Sequence, residues 1–479
     1  MKIFGQNEIA EIDLPITRMK KNFTPTSISV DLKNEDLHTY FIAWFRSVAP
    51  YIHTFRGKTF VVAFGGEVVA DGKFVELVHD LNLLASLGIQ LVLIHGARPQ
   101  IESRLQQDNL DITYVNGIRV TDAATLERVI ESVGRVRMEI EALMSMGLPN
   151  SPMANASIRV TSGNFVIARP IGVMNGTDLM YTGEVRKINL TAIHSHLTQG
   201  EIVLISPLGY SPTGEIFNLT LENVAAEVAI TLKAEKLIFL MNTPGIMDQV
   251  TKQPDNLLRE LTVAESKSYL TQLTDLSTHI PDDTQFYLPQ AIHACESGVG
   301  RAHLISRHID GALLQELFSH DGIGTMITRD SLQSIRKAKI EDVASIIQLI
   351  EPLEMEGILV RRNRELLEME IDRFTVLEHD NIIIACAALY PFPEEQAYEL
   401  ACLAVHARYR KTGCGSALLK HLENQIKSKK PQKLFVLTTR TAHWFVERGF
   451  VETSLEALPK RKKQLYNYQR RSKVFTKII

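Results

Sequence analysis

The chain is poor in cysteine, has only two tryptophans and lacks any long apolar run, and these scarcities remove whole classes of protein. The four cysteines in 479 residues, Cys295, Cys386, Cys402 and Cys414, stand too far apart for CxxC or Cys/His ligand spacing. That excludes a disulfide framework and a zinc site, predicts no bound metal, and fits a reducing cytoplasm. No stretch approaches the ~18 consecutive apolar residues of a membrane span. The first thirty residues have no apolar core before a small-residue cleavage site, so no secretory leader is expected. Acidic residues are missing from Pro459 to Ile479, where eight Lys or Arg occur. The net charge of −3 therefore hides 458 residues that together carry −11.

What is present reads as an ordinary globular enzyme, with 45% hydrophobic and 22% charged residues. The length is about three times that of a ~150-residue domain, which predicts two or three domains. Residues 1–34 lack periodicity and read as a flexible arm. Residues 35–51 place Leu37, Phe41, Trp44, Phe45, Val48 and Tyr51 at helical spacing. This amphipathic helix docks either on its own domain or on another subunit.

From Lys58 onward, short apolar runs alternate with longer amphipathic stretches. Thr59 to Phe64 runs into Gly65-Gly66, Phe74 to Leu87 reads as a helix, and Gln90 to His95 runs into Gly96. Further strands are expected at Ile158–Val160, Phe165–Ala168, Ile202–Ile205 and Lys236–Leu240. Such alternation predicts a parallel sheet covered on both faces, with ligands at the carboxyl ends of its strands. The pattern ends near Ile327. A polar linker, 328–334, leads to a second domain over 335–479, with strands expected at Ser334–Lys339, Thr375–Glu378, Ile382–Leu389, Ala397–Val405 and Lys433–Thr438, and a helix from Gly415 to Lys427.

The second domain carries the sharper chemistry. Arg410, Lys411, Thr412, Gly413, Cys414, Gly415 and Ser416 form a basic, glycine-punctuated loop running into a helix. Free N–H groups of the first turn and the helix dipole there favour a pyrophosphate. Glu399, on the strand before the loop and on the pleat face opposite Cys402, is a candidate base for an ammonium nucleophile. Thr438, Thr439, Tyr466 and Tyr468 are the hydroxyls available to protonate a leaving thiolate. Arg470, Arg471 and Ser472, with the pair Arg361-Arg362, offer planar forks that suit carboxylates. Lys460 to Lys463 read as a solvated face, and binding of nucleic acid by this tail is the weaker reading.

Strand, R-x-x-G-x-G, helix, strand and then Ala442-His443-Trp444-Phe445 with Gly449-Phe450 resembles the acetyl-CoA half of the GCN5-related N-acetyltransferase superfamily. That resemblance implies that Cys402, Leu403, Ala404 and Val405 contact the pantetheine arm through backbone, while Arg410 to Ser416 hold the pyrophosphate. Arg56-Gly57-Lys58-Thr59, His95-Gly96-Ala97-Arg98-Pro99-Gln100, Gly117-Ile118-Arg119-Val120-Thr121-Asp122, Gly357 to Arg362 and Leu465 to Val474 extend the likeness over both domains. The whole resembles the bacterial two-domain N-acetylglutamate synthase family. The implied fold is an α/β amino-acid-kinase-like domain, a mainly parallel open sheet sandwiched by helices, followed by an α+β acetyltransferase domain.

The resemblance further implies acetyl transfer from acetyl-CoA to L-glutamate in a ternary complex, with Glu399 as base and Thr438 or Thr439 near the position of the acid. Leu359, Arg361, Cys402, Arg470 and Ser472 correspond to glutamate contacts. The kinase-like half departs from working kinases. Ala63 replaces the lysine expected before Gly65-Gly66, the lysine expected in the nucleotide half is not evident around Asn242-Thr243-Pro244-Gly245, Arg98 adds a side chain to the second glycine loop, and Glu222 stands for an organising aspartate. Without those cations phosphoryl transfer has no charge neutralisation, so no kinase activity is expected. Arg119 and Asn218, which match acyl-amino-acid contacts of the kinases, remain. Tyr51, His303, Glu316 and Gly322 match the L-arginine site of feedback-inhibited members, and the helix over 35–51 matches the interlocking element of a hexamer. Two other readings stay open: residual acetylglutamate kinase activity, and acetylation of a different amine under an arginine-sensing module.

Overall fold

The computed structural model describes residues 34–248, 256–275, 282–319, 322–410, 412–427 and 433–479. The expected arm (but for Asn34) and Lys411 lie outside them. The first sheet has eight strands, in the order Glu260–Thr262, Thr325–Thr328, Arg301–Ser306, Lys236–Met241, Thr59–Phe64, Gln90–His95, Ile202–Ile205 and Val160–Thr161. Its pairings are parallel except between Arg301–Ser306 and Thr325–Thr328. Two clusters of buried apolar side chains, one on each face, explain why the strand runs are apolar rather than alternating.

One expectation needs correction. The strand at Val166–Pro170 does not join this sheet; it pairs with Gly183–Ile188 and Leu208–Tyr210 in a separate four-stranded sheet. Its burial alternates over Val166, Ile167 and Ala168, as a strand covered on one side requires, before Arg169 and Pro170 run out exposed.

The helix Asn34–Phe55 docks on its own domain through only part of its apolar stripe. Val48 and Phe55 are buried, and Phe55 packs edge-on against Phe60 and beside Phe318. Phe41, Ile42, Trp44 and Phe45, one to two turns earlier, remain exposed. Among the described residues no helix is long and apolar enough to cross a membrane.

The second sheet has seven strands, in the order Gln333–Lys337, Phe374–His379, Ile382–Phe392, Ala397–Val405, Lys433–Thr438, Lys473–Ile478 and Val451–Thr453. Ala397–Val405 and Lys433–Thr438 form its one parallel pair, and their pairing covers only Ala397 to Leu400 against Lys433 to Val436. Beyond that point the strands diverge. The helix Cys414–Lys427 covers one face through Leu418, Leu419, Leu422 and Ile426, and the helix Val343–Met355 covers the other through Ile346 and Ile350.

Candidate active site and effector site

The divergence of the two parallel strands opens a cleft at the middle of the second sheet, and a bulge fixes what faces it. Against Ile382–Phe392, Ala388 pairs with Ala401 but Cys386 pairs with Ala404, so one extra residue lies on the Ala397–Val405 side. Cys402 takes a left-handed φ of 52°, a conformation costing a non-glycine residue about 1–2 kcal/mol. The bulge changes the parity of the strand. Glu399 pairs with Tyr390, which packs on the same face as Cys402 and Ala404. Simple alternation along the strand puts Glu399 on the face opposite Cys402; the inserted residue brings the two together.

Glu399 is buried, and Lys462 Nζ lies 2.6 Å from its Oε1. Around the bulge two guanidinium groups converge. Burial opposes the charge of Arg362, but Cys402, Tyr390 and Glu370 beside it raise its affinity for the proton. Arg470 is pushed down, first by burial and then by Arg362. One Arg470 Nη donates to the Ile358 carbonyl, which holds the side chain over the loop that carries Leu359. Ser472 is buried next to Arg471, whose φ of 49° turns the chain inward, and the Ser472 carbonyl accepts from the Tyr466 hydroxyl at 2.7 Å.

Arg361 and Arg362 are thereby separated. Arg361 is exposed, whereas Arg362 is partly buried beside Cys402. Sequence spacing alone does not say which of two adjacent arginines turns inward. Thr438 is buried at the end of its strand, its hydroxyl 2.8 Å from that of Thr441 and accepting the Thr441 N–H at 3.1 Å; Thr439 is exposed.

The glycine loop is built as its chemistry requires. Gly413 has φ 91°, and a Cβ on Gly415 would lie 3.3 Å from Trp444 and 3.5 Å from Val405. Arg410 and Thr412 are exposed, and Cys414 is buried where the helix begins. Arg448, which no sequence motif singles out, donates to Ser416 Oγ through Nε (3.0 Å) and Nη2 (2.9 Å). Its guanidinium carbon sits 3.9 Å from the centre of the Trp444 ring. The segment Trp444 to Gly449 signals its neighbourhood, though not its direction.

In the first domain the four expected effector residues gather at one end of the sheet. His303 Nδ1–H donates to Glu316 Oε1 at 2.7 Å, and Glu316 Oε2 accepts the N–H groups of Ile323 and Gly324 at 2.7 and 3.0 Å. Gly322, with φ 56°, leaves no room for a side chain, because a Cβ would meet Glu316 Oε2 at 2.7 Å. Tyr51 sits one turn before Phe55, the two rings 6.0 Å apart. A cation completes the group: Lys236 Nζ donates to His303 Nε2 at 3.0 Å and lies 5.1 Å above the Phe55 ring. Burial brings Lys236 down to about 7, and burial followed by the Lys236 charge brings His303 down to about 4. Burial alone would raise Glu316, but His303 and the two backbone N–H groups hold it low.

Between the two glycine loops of this domain lies a cavity of about 230 Å³, lined by Gly65, Gly96, Arg98, Arg119, Asn218 and Glu222 among others. Ala63, where kinases carry a lysine, is buried in the apolar core. Arg98 occupies the second loop, donating to the Gly117 carbonyl at 3.1 Å and stacking near Tyr114 and Phe286. Asn242 is tied to Asp283 and to Arg307, and burial raises the Glu222 carboxyl.

Residues 58–306 match the model of the amino acid kinase family, and residues 370–452 match that of the acetyltransferase (GNAT) domain. An amino-acid acetyltransferase of Ralstonia nicotianae is 50% identical over 91% of this chain and 95% of its own length. N-acetylglutamate synthase from Neisseria gonorrhoeae in complex with coenzyme A and L-arginine is 38% identical over 92% of this chain and 99% of its own, with a TM-score of 0.81. The same synthase in complex with coenzyme A and N-acetyl-glutamate covers 91% and 99% and superposes with a TM-score of 0.57.

Proposed function

The chain belongs to the amino-acid acetyltransferase family, and from that membership we propose that it moves the acetyl group of acetyl-CoA to the α-amine of L-glutamate, giving N-acetyl-L-glutamate and CoA, under feedback inhibition by L-arginine. The observation that carries the substrate is the pair Arg362 and Arg470. Two guanidinium groups repel one another beside Cys402, on the face that Glu399 shares, and an α-amino dicarboxylate supplies two carboxylates to relieve them. Ser472, Leu359 and Cys402 border the same place. Arg361, the arginine expected from resemblance, is exposed, and Arg362 takes its role in this reading.

The chemistry then runs in order. Glu399 accepts a proton from the α-ammonium, and the freed amine attacks the thioester carbonyl carbon. The tetrahedral intermediate collapses with cleavage of the carbon–sulfur bond, the amide nitrogen loses its second proton, and the CoA thiolate is protonated. Thr438, buried at the cleft edge, fits that last step better than exposed Thr439. The exposed backbone of Cys402 to Val405 lies along pantetheine, and the loop from Arg410 to Ser416, Lys411 included, cradles the pyrophosphate.

The regulatory unit is taken as 34–328 and the catalytic unit as 333–479, because the strands Thr325–Thr328 and Gln333–Lys337 occupy both ends of the 328–334 stretch that reads as a linker in sequence and leave 329–332 to join the two. Arginine binds against Tyr51, His303, Glu316 and Gly322, where Lys236 adds a cation for its carboxylate. The exposed aromatic face of the helix Asn34–Phe55 supports a homo-oligomer, with a hexamer favoured, and the chain works in the cytoplasm. The kinase-like cavity does not transfer phosphate, since Ala63 supplies no charge. Glutamate-dependent release of CoA, measured with and without arginine, tests the reading. Release without glutamate, or release indifferent to arginine, refutes its catalytic or its regulatory half.

A further inference from the structure

The basic run Lys460 to Lys463 looks uniform in sequence, but the short helix Lys460–Gln464 sorts its cations. Arg461 is exposed and Lys463 pairs with Glu456 at 2.5 Å. Lys462 alone turns to the sheet, with Nζ 2.6 Å from Glu399 Oε1. Leu458, just ahead of the helix, packs in a cluster with Ala397, Phe435 and Val474, which pins this segment against the strand bearing Glu399.

The remaining surroundings of Glu399 are accounted for. Its cross-strand neighbours are Phe435, which is apolar, and Tyr390, whose hydroxyl donates to Glu370 at 2.6 Å. Tyr466 packs near Ala397 and gives its hydroxyl to the Ser472 carbonyl. Arg362 and Arg470 lie toward Cys402. Among the described residues, Lys462 is the one cation within 4 Å of the Glu399 carboxylate.

We propose that Lys462 is a positioning residue for acetyl transfer, holding the Glu399 carboxylate by one oxygen so that the other is presented to the substrate ammonium. This rests on the reading of Glu399 as the base. A buried carboxylate with free χ rotation can satisfy itself on nearby backbone, and a charge-assisted contact to a lysine anchored from outside the strand removes that freedom. The contact also balances a charge that would otherwise be buried alone.

The test compares Lys462→Met, Lys462→Arg and Glu399→Gln in the full-length protein, measuring kcat, both KM values and the melting temperature. Lys462→Met is expected to lower kcat at least tenfold with both KM values within twofold, a split that a merely structural role would not produce. Lys462→Arg should recover most of the lost kcat. If Lys462→Met does not fold, Lys462→Gln, which keeps a donor without the charge, is read the same way. A variant that melts earlier but keeps the parent kcat would overturn the proposal and leave Lys462 as a structural staple. Loss of activity in Glu399→Gln beside an unchanged Lys462→Met defeats the proposal alone; full activity in Glu399→Gln defeats the reading on which it rests.

Discussion

Arg301 and Asp380 meet across the junction of the two sheets in a two-pronged ion pair, with Nη1 2.9 Å from Oδ2 and Nη2 against Oδ1. Arg301 is two residues from His303 on the same strand, and Asp380 lies in the left-handed turn, φ 49° and 63° at Asp380 and Asn381, that joins Phe374–His379 to Ile382–Phe392. His379 faces Glu260 at 2.9 Å next to it. Since Ile382–Phe392 pairs with Ala397–Val405, the proposed effector cluster and the strand proposed to hold acetyl-CoA are separated by one ion pair and one strand.

Arg301→Ala should therefore blunt the arginine response. Coupling free energies of this kind are about 1–3 kcal/mol, so the arginine concentration for half-inhibition is expected to rise at least fivefold, with arginine-free turnover within twofold. Titrating CoA release with arginine checks this, and an unchanged midpoint means the signal bypasses the pair.

Arg362 and Arg361 are separated by a matched pair of variants. Arg362→Met removes a charged donor worth about 1.5–3 kcal/mol, so the KM for glutamate should rise tenfold or more while that for acetyl-CoA stays within twofold. Arg361→Met should stay within threefold in both. Steady-state kinetics in each substrate decide, and the reverse result restores the assignment made from resemblance.

Arg448→Met removes both hydrogen bonds to Ser416 and the stacking on Trp444. The first helical turn loses its brace, and the KM for acetyl-CoA is expected to rise about five- to tenfold at little cost to the KM for glutamate. Binding of CoA by calorimetry reads the same effect without turnover.

Lys236 makes stability depend on pH. Its folded value of about 7 lies below the ordinary lysine value, so between about 7 and 10 the unfolded chain binds the extra proton and the folded state gains as pH rises. The slope is at most about 1.4 kcal/mol per pH unit. Denaturant midpoints for the parent and Lys236→Met at pH 7 and pH 9 should converge or cross in the parent's favour; parallel curves would show that the lysine stays charged.

Much of this site is legible in the amino-acid sequence, and what is not has a physical cause. The strands Ala397–Val405 and Lys433–Thr438 fall where their apolar runs predict, and the glycine loop leads into its helix as spacing requires. The side on which Glu399 emerges escapes the pattern because strand parity assumes no inserted residue, and nothing local marks Cys402 for a positive φ. Lys236 reads as the polar end of a buried strand, and its partner His303 comes from 67 residues away. Lys462 is one basic residue in a run of four until tertiary packing of Leu458 gives the run a direction. Local pattern carries periodicity, but not which of several like side chains the chain will turn inward.

The divergence of Ala397–Val405 from Lys433–Thr438 also bears on how ligands come and go. Backbone groups of Ala401 to Val405 that face Lys433–Thr438 have no strand partner there among the described residues, so solvent must satisfy them in the free protein. On the proposed reading acetyl-CoA arriving along that edge dries it, and departing CoA hands it back to water, so that release is a wetting transition governed by the cleft mouth as well as by the residues that perform the chemistry.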